Sequence, residues 1–188
     1  MMKMKTVQAI VLMAVATILF QCKSASEVEP DDENELITTV LLKFTETGTS
    51  TTTTVTYRDI DGDGGNPPTR FDQVVLKSNT AYALVVEVLD ESKNPAIDIT
   101  GEIKEKADEH LFIFTPNPSS LLTYTYGDKD ARNLPLGLTG VVNTAAAGVG
   151  MLKVQLRHQP AINGSPVKDG TSGPGSDDVN IDFSVEVK

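Results

Sequence analysis

The chain has 188 residues, with 26 acidic against 16 basic side chains and a formal net charge of −10 at pH 7. That balance repels nucleic acid and anionic headgroups, so no nucleic-acid partner is expected. A single cysteine excludes an intramolecular disulfide and a cysteine metal cluster, and the absence of tryptophan leaves the core to Val, Leu and Ile.

The first element is a leader over residues 1–21. Lys3 and Lys5 give it a basic start, and the run that follows is apolar apart from Thr6, Gln8 and Thr17. It is too short and wrongly flanked for a stable membrane span, and it has the layout of a secretory signal. The run stops at Gln21-Cys22, which resembles a bacterial lipoprotein signal whose cysteine is lipidated and becomes the new N-terminus. Leu19 fits the apolar position three residues before that cysteine. Gln21 departs from the small residue normally found there, a looseness that resembles Bacteroidota-type lipoproteins. Removal of the leader takes away two lysines and leaves a mature chain of net charge −12. The lipid on Cys22 would then be its only membrane attachment.

Residues 22–35 read as an acidic tether. Glu27, Glu29, Asp31, Asp32, Glu33 and Glu35 repel one another, and little apolar surface is there to bury. An acidic patch soon after the cysteine resembles the export signal of surface-displayed lipoproteins; the plainer reading is a solvated linker.

Residues 36–188 form the folded domain, and their pattern is mostly period two. Val40, Leu42 and Phe44 alternate with Leu41 and Lys43, and a Thr-rich ribbon follows over 51–57. Short strands are expected at 73–77, 82–89, 111–114, 121–126 and 152–157. In the last strand Val179, Ile181, Phe183, Val185 and Val187 face one way, and Asn180, Asp182, Ser184 and Glu186 the other. Ile99, Ile103 and Ala107 lie at helical spacing, so 99–109 reads as a short amphipathic helix with Thr100 as its cap. Residues 163–178, rich in Gly and Pro, read as a long mobile hairpin loop. The fold class is mainly β: an antiparallel, immunoglobulin-like or other Greek-key β-sandwich with one short helix.

Two groups of residues could hold metal. Asp59, Asp61 and Asp63 alternate ahead of Gly64, as in the first half of an EF-hand calcium loop. Arg70 stands where that loop needs a bidentate Glu, and Pro67-Pro68 interrupt it, so a looser Ca²⁺ loop completed by Asp72 or by carbonyls is the candidate. A β-turn rich in Asp and Gly is the alternative. His110 is in phase with Phe112 and Phe114, and His158 with Leu152, Val154 and Leu156. Both therefore belong on an apolar face near a strand end, where they could share Zn²⁺ or Cu²⁺ with Asp108 or Glu109. The alternative is two separate histidines, each hydrogen-bonded at the rim of the core. No Gly-x-Ser-x-Gly elbow and no phosphate-cradling loop is present, so no enzyme is expected.

Five stretches carry a resemblance to a family of small Bacteroidota lipoproteins. They are Glu35-Leu36-Ile37-Thr38-Thr39-Val40, Asp59 to Gly65, Asp108-Glu109-His110, Leu156-Arg157-His158-Gln159-Pro160 and the terminal strand. Some members are labelled type 1 periplasmic-binding-fold proteins, a two-lobed α/β fold for which this chain is too short and too strand-rich. The resemblance implies a lipid-anchored outer-membrane protein, facing the periplasm or the cell surface, and carries no activity with it. The expected function is a non-catalytic accessory module that captures a ligand or metal beside an outer-membrane uptake receptor. The alternative is a structural or adhesive envelope module with a calcium-stabilised loop.

Overall fold

A computed structural model describes residues 36–62 and 64–188. The leader, Cys22, the tether and Asp63 lie outside those residues. The described part belongs to one compact unit, Glu35–Lys188.

Strands make up 51% of the described residues, arranged as two sheets that do not close into a barrel. Strands β1 (Thr39–Glu46), β2 (Thr52–Arg58), β3 (Arg70–Phe71), β5 (Ala81–Asp90), β8 (Leu122–Tyr126) and β9 (Thr139–Thr144) form the first sheet, in the order β3-β2-β1-β5-β9-β8. The two-residue β6 (Ile97–Asp98) adds to β5. The second sheet runs β4-β11-β10-β7, from Val74–Leu76, Ser176–Val187, Gly148–His158 and His110–Asn117. Its β4 joins β11 in parallel, and the other sheet pairings are antiparallel.

Period two explains why the sheets meet. Val40, Leu42 and Phe44 of β1 and Leu84, Val86 and Val88 of β5 are at most 1% exposed. They belong to one core with Leu152, Val154 and Leu156 of β10 and Ile181, Phe183 and Val185 of β11. Each such Val, Leu or Phe contributes about 1.5–3 kcal/mol on burial, so a one-residue slip in any central strand would cost several at once. The antiparallel sandwich expected from the pattern is the fold observed.

Local expectations changed in three places. Helix α1 spans only Thr100–Glu105, and residues 106–109 form a turn that ends at β7. Thr100 is not its cap: Ile99 holds that position without a side-chain bond. The Thr100 hydroxyl instead accepts the Val88 N–H at 2.9 Å, which pins the helix to β5. The strand begun at His110 also continues through Pro116 to Asn117, past the end at 114 that the pattern predicts. The connection from β10 to β11 is a hairpin loop as its composition predicts, but it is tied down: Lys168 within it is 2% exposed. No helix among the described residues is long and apolar enough to cross a membrane.

Candidate metal centre

His110 opens β7 and His158 closes β10, and the register of these antiparallel strands sets them directly opposite each other. Leu156 and Phe112 form the next inward pair on the same face. The histidines continue the apolar alternation to the end of the sheet, so both are buried, at 3% and 8% exposure. Their imidazoles stack with centroids 4.9 Å apart and planes 8° from parallel. Sequence phase placed each ring on the apolar face; the register brings the two together.

The third member is Asp178. Along β11, strict alternation would send it outward with Asn180 and Asp182. The register shifts, however: Leu156 pairs with Val179, while the next residue, Arg157, pairs with Asp177. Asp178 is the extra residue of a β-bulge, and such a residue is re-aimed relative to the regular pleat. Its side chain is 4% exposed, and its Oδ2 lies 4.0 Å from His110 Nε2. One ligand atom from each of His110, His158 and Asp178 falls within 4.8 Å of the others.

The electrostatics leave this cluster short of donors. His110 Nδ1 lies 3.0 Å from the Lys106 carbonyl oxygen. A carbonyl only accepts, so Nδ1 carries the proton and the Nε2 lone pair faces Asp178. Burial drives the His110 pKa down to about 4; the Lys106 hydrogen bond opposes this, and positive charge on His158, Lys106 and Lys168 reinforces it. The ring is therefore neutral at physiological pH. Burial likewise pushes Asp178 up to about 6; His158 and Arg157 pull it back, and Asp177 adds to the rise. Asp178 Oδ1 is buried without a hydrogen-bond partner. Among the described residues no hydrogen bond joins the three side chains to one another. A lone pair and a carboxylate facing each other at depth are costly until something positive sits between them.

The surrounding shell holds the site in place. In the turn after α1, successive carbonyls serve four different partners. Lys106 O accepts from His110 Nδ1, Ala107 O from Lys168 Nζ (2.7 Å), Asp108 O from Arg132 Nη2 (3.0 Å) and Glu109 O from the Gln159 N–H (2.6 Å). Arg157 pairs with Asp177 at 2.7 Å and donates to the carbonyls of Pro174 and Gly175, which anchors the bulge to the loop. Gly175 has φ +76°, and a Cβ there would run into the His158 carbonyl, so the close approach of loop and strand requires glycine.

A metal would contract this arrangement. Zinc–nitrogen bonds of about 2.0–2.1 Å in a tetrahedral site put donor atoms roughly 3.3 Å apart, and an ion must lie near the plane of each ring. The imidazoles therefore have to tilt out of their parallel stack. Two imidazoles and one carboxylate suit a divalent first-row ion, with a fourth position left for water.

The remaining expected residues fall elsewhere. Glu109 does not complete the cluster: its carboxylate meets the Ala161 N–H at 3.5 Å. Asp108 is exposed, and its carbonyl is what binds Arg132. Asp178 was not foreseen, because only the bulge breaks the alternation that hides it. In the acidic loop, Asp59 is 5% exposed and Asp61 Oδ2 accepts the Asn66 N–H and side-chain amide at 2.8 and 2.7 Å. Those two bonds hold the Asp61 carboxyl below its ordinary range. Asp72 does not complete that loop. Both its oxygens accept from Arg70 Nε, at 3.0–3.1 Å, and one also accepts the Thr56 N–H. Comparison with protein-family models, with curated proteins and with solved structures finds no match.

Proposed function

We propose that this protein is a lipid-anchored envelope module whose β-sandwich captures a divalent transition-metal ion at His110, His158 and Asp178. The observation that carries this reading is the facing of the His110 Nε2 lone pair and the Asp178 carboxylate, 4.0 Å apart and buried, with Asp178 Oδ1 left without a partner. An unmet buried group costs about 1–3 kcal/mol, a cost that an ion bound between the two side chains would offset. The Lys106 carbonyl fixes the His110 tautomer with Nε2 toward the ion, as outer-shell acceptors do in zinc sites. Zn²⁺ and Cu²⁺ are the ions these donors favour.

The location rests on the sequence. Lipidation at Cys22 and an acidic tether would hold the domain at the outer membrane, where metal capture serves an uptake receptor. The module is non-catalytic in this reading, binding and handing on its ion. Isothermal titration of the full-length protein with Zn²⁺ tests it. One equivalent should bind to wild type, and His110→Ala, His158→Ala and Asp178→Asn should each weaken binding at least tenfold. Equal binding by wild type and the double histidine variant would reject the site. For the anchor, Cys22→Ser should abolish incorporation of labelled fatty acid, and retained label would reject that part of the reading.

A further inference from the structure

The two edges of the second sheet are finished differently. At one edge β7 is closed: the Phe112 N–H donates to the Leu136 carbonyl at 2.7 Å, and the Phe112 carbonyl accepts the Tyr126 hydroxyl at 2.9 Å. Pro116, in the same outward phase as Phe112, has no N–H to offer. At the other edge β4 covers β11 only over Val185–Val187. Lys188 shows which groups point to that side, since its N–H donates to the Leu76 carbonyl and its carbonyl accepts the Ser78 N–H. Period two aims the N–H and C=O groups of Asn180 and Asp182 the same way, beyond the end of β4, where they meet no partner among the described residues. A cleft of about 440 Å³ opens at this stretch, where Asn180, Ile181 and Asp182 line it together with Tyr57, Pro68 and Phe71. Phe71 is 50% exposed, yet its ring is fixed by near-perpendicular contacts with Tyr57 at 5.2 Å and Phe183 at 5.4 Å.

We propose that this free edge of β11 receives an extended segment of a partner protein, which joins the second sheet as a further strand. A row of unpaired N–H and C=O groups recognises the backbone of another strand, and pockets for alternate side chains select its sequence. The chemistry of the occupant follows from its two rows of side chains. The row on the Ile181 face meets Phe71 and Tyr57 and is apolar. The row on the Asn180 and Asp182 face stays in water, beside a chain of net charge −10, and is basic. Asn180 to Ser184 offers about 16 Å of edge, enough for about five guest residues. A second copy of this chain fits poorly, because it would bring the same Asp182, the same net charge and the same edge set in a cleft. The inference is independent of the histidine site.

The probe is a blocked, fluorophore-labelled heptapeptide of alternating lysine and valine, titrated with the full-length protein. Fluorescence anisotropy should show saturable binding. The same peptide with its backbone nitrogens methylated has no ladder donors and should bind at least tenfold more weakly, as should the version with glutamate in place of lysine. Phe71→Ala should weaken binding at least fivefold, and His110→Ala/His158→Ala should leave it unchanged. Amide hydrogen exchange reads the edge directly in wild type, whether or not Phe71→Ala folds. Saturating peptide should slow exchange at Asn180 and Asp182 at least tenfold. Absence of binding, binding that survives methylation, or unchanged exchange at both amides would each overturn the proposal. Sedimentation should find a monomer without peptide; a dimer that already protects the same two amides would overturn it as well, by giving the edge to a second copy.

Discussion

Two buried polar clusters hang on the same turn after α1, and they are built on opposite principles. In one, Lys168 and Asp130 face each other at 3.1 Å with side chains 0% and 1% exposed. Asp130 Oδ1 also accepts the N–H groups of Arg132 and Leu134, and Lys168 donates to the Ala107 carbonyl. Burial pushes the Asp130 carboxyl up, but the Leu134 N–H, Lys168 and the Arg132 N–H outweigh it, and the group ends below its ordinary value. The cluster neutralises itself. In the other, His110, His158 and Asp178 are buried to a similar depth, but no hydrogen bond joins them and Asp178 is held above its ordinary range. Burial of charge alone therefore does not distinguish a site from a brace. What differs is direct contact: Lys168 meets Asp130 at 3.1 Å, whereas Asp178 Oδ1 is left without a partner.

The comparison breaks hardest at Lys168. Lys168→Met would leave the Asp130 carboxylate buried and unpaired, so urea denaturation at pH 7 should show a loss of about 3–5 kcal/mol. Loss under 1 kcal/mol would mean the pair is not the brace described here.

At Asp178 the same operation should have the opposite sign. Its folded pKa, about 6, lies above its unfolded value, so ionisation costs folding energy. That cost is absent below about pH 4, grows between 4 and 6, and is fully present above 6, at roughly 1–3 kcal/mol. Asp178→Asn should therefore stabilise the metal-free protein by that amount at pH 8, lose the gain near pH 4, and fail to bind Zn²⁺. A destabilised Asp178→Asn at pH 8 would show that the carboxylate is a structural partner.

His110 makes the acid limb informative. Its pKa falls from 6.5 to about 4 on folding, so its contribution is intact above 6.5 and is lost as pH falls toward 4. In wild type the relief at Asp178 offsets part of that loss. Stability plotted against pH should therefore fall more steeply between 6.5 and 4 in Asp178→Asn than in wild type. Parallel curves would argue against opposed titration at this site.

The smallest effect belongs to Arg132, a rim member of the brace at 35% side-chain exposure and 3.8 Å from Asp130. Arg132→Ala should cost about 1 kcal/mol, chiefly from its bonds to the Lys168 and Asp108 carbonyls, and leave Zn²⁺ binding unchanged.

Much of the fold was legible because its strands alternate cleanly: Val40, Leu42 and Phe44, and every second residue from Val179 to Val187, are buried as their phase requires. Strands β3, β6 and β9 were not foreseen. The first two have only two residues each, and β9, Thr-Gly-Val-Val-Asn-Thr, carries a glycine and an asparagine that weaken the signal. The helix was overextended for a different reason: Ala107 keeps the spacing, but the chain after Glu105 turns to present its carbonyls to four different residues.

The sequence by itself determined the phase of the two histidines, because period two and the apolar neighbours of each leave one face for it. Only the tertiary structure decided that His110 and His158 are register partners, since strand pairing joins residues 48 positions apart through contacts that no local pattern encodes. Only the structure could bring in Asp178. A β-bulge reverses one step of the alternation at that residue, and whether a strand bulges is settled by its partner strand and by the Arg157 anchor to the loop beyond.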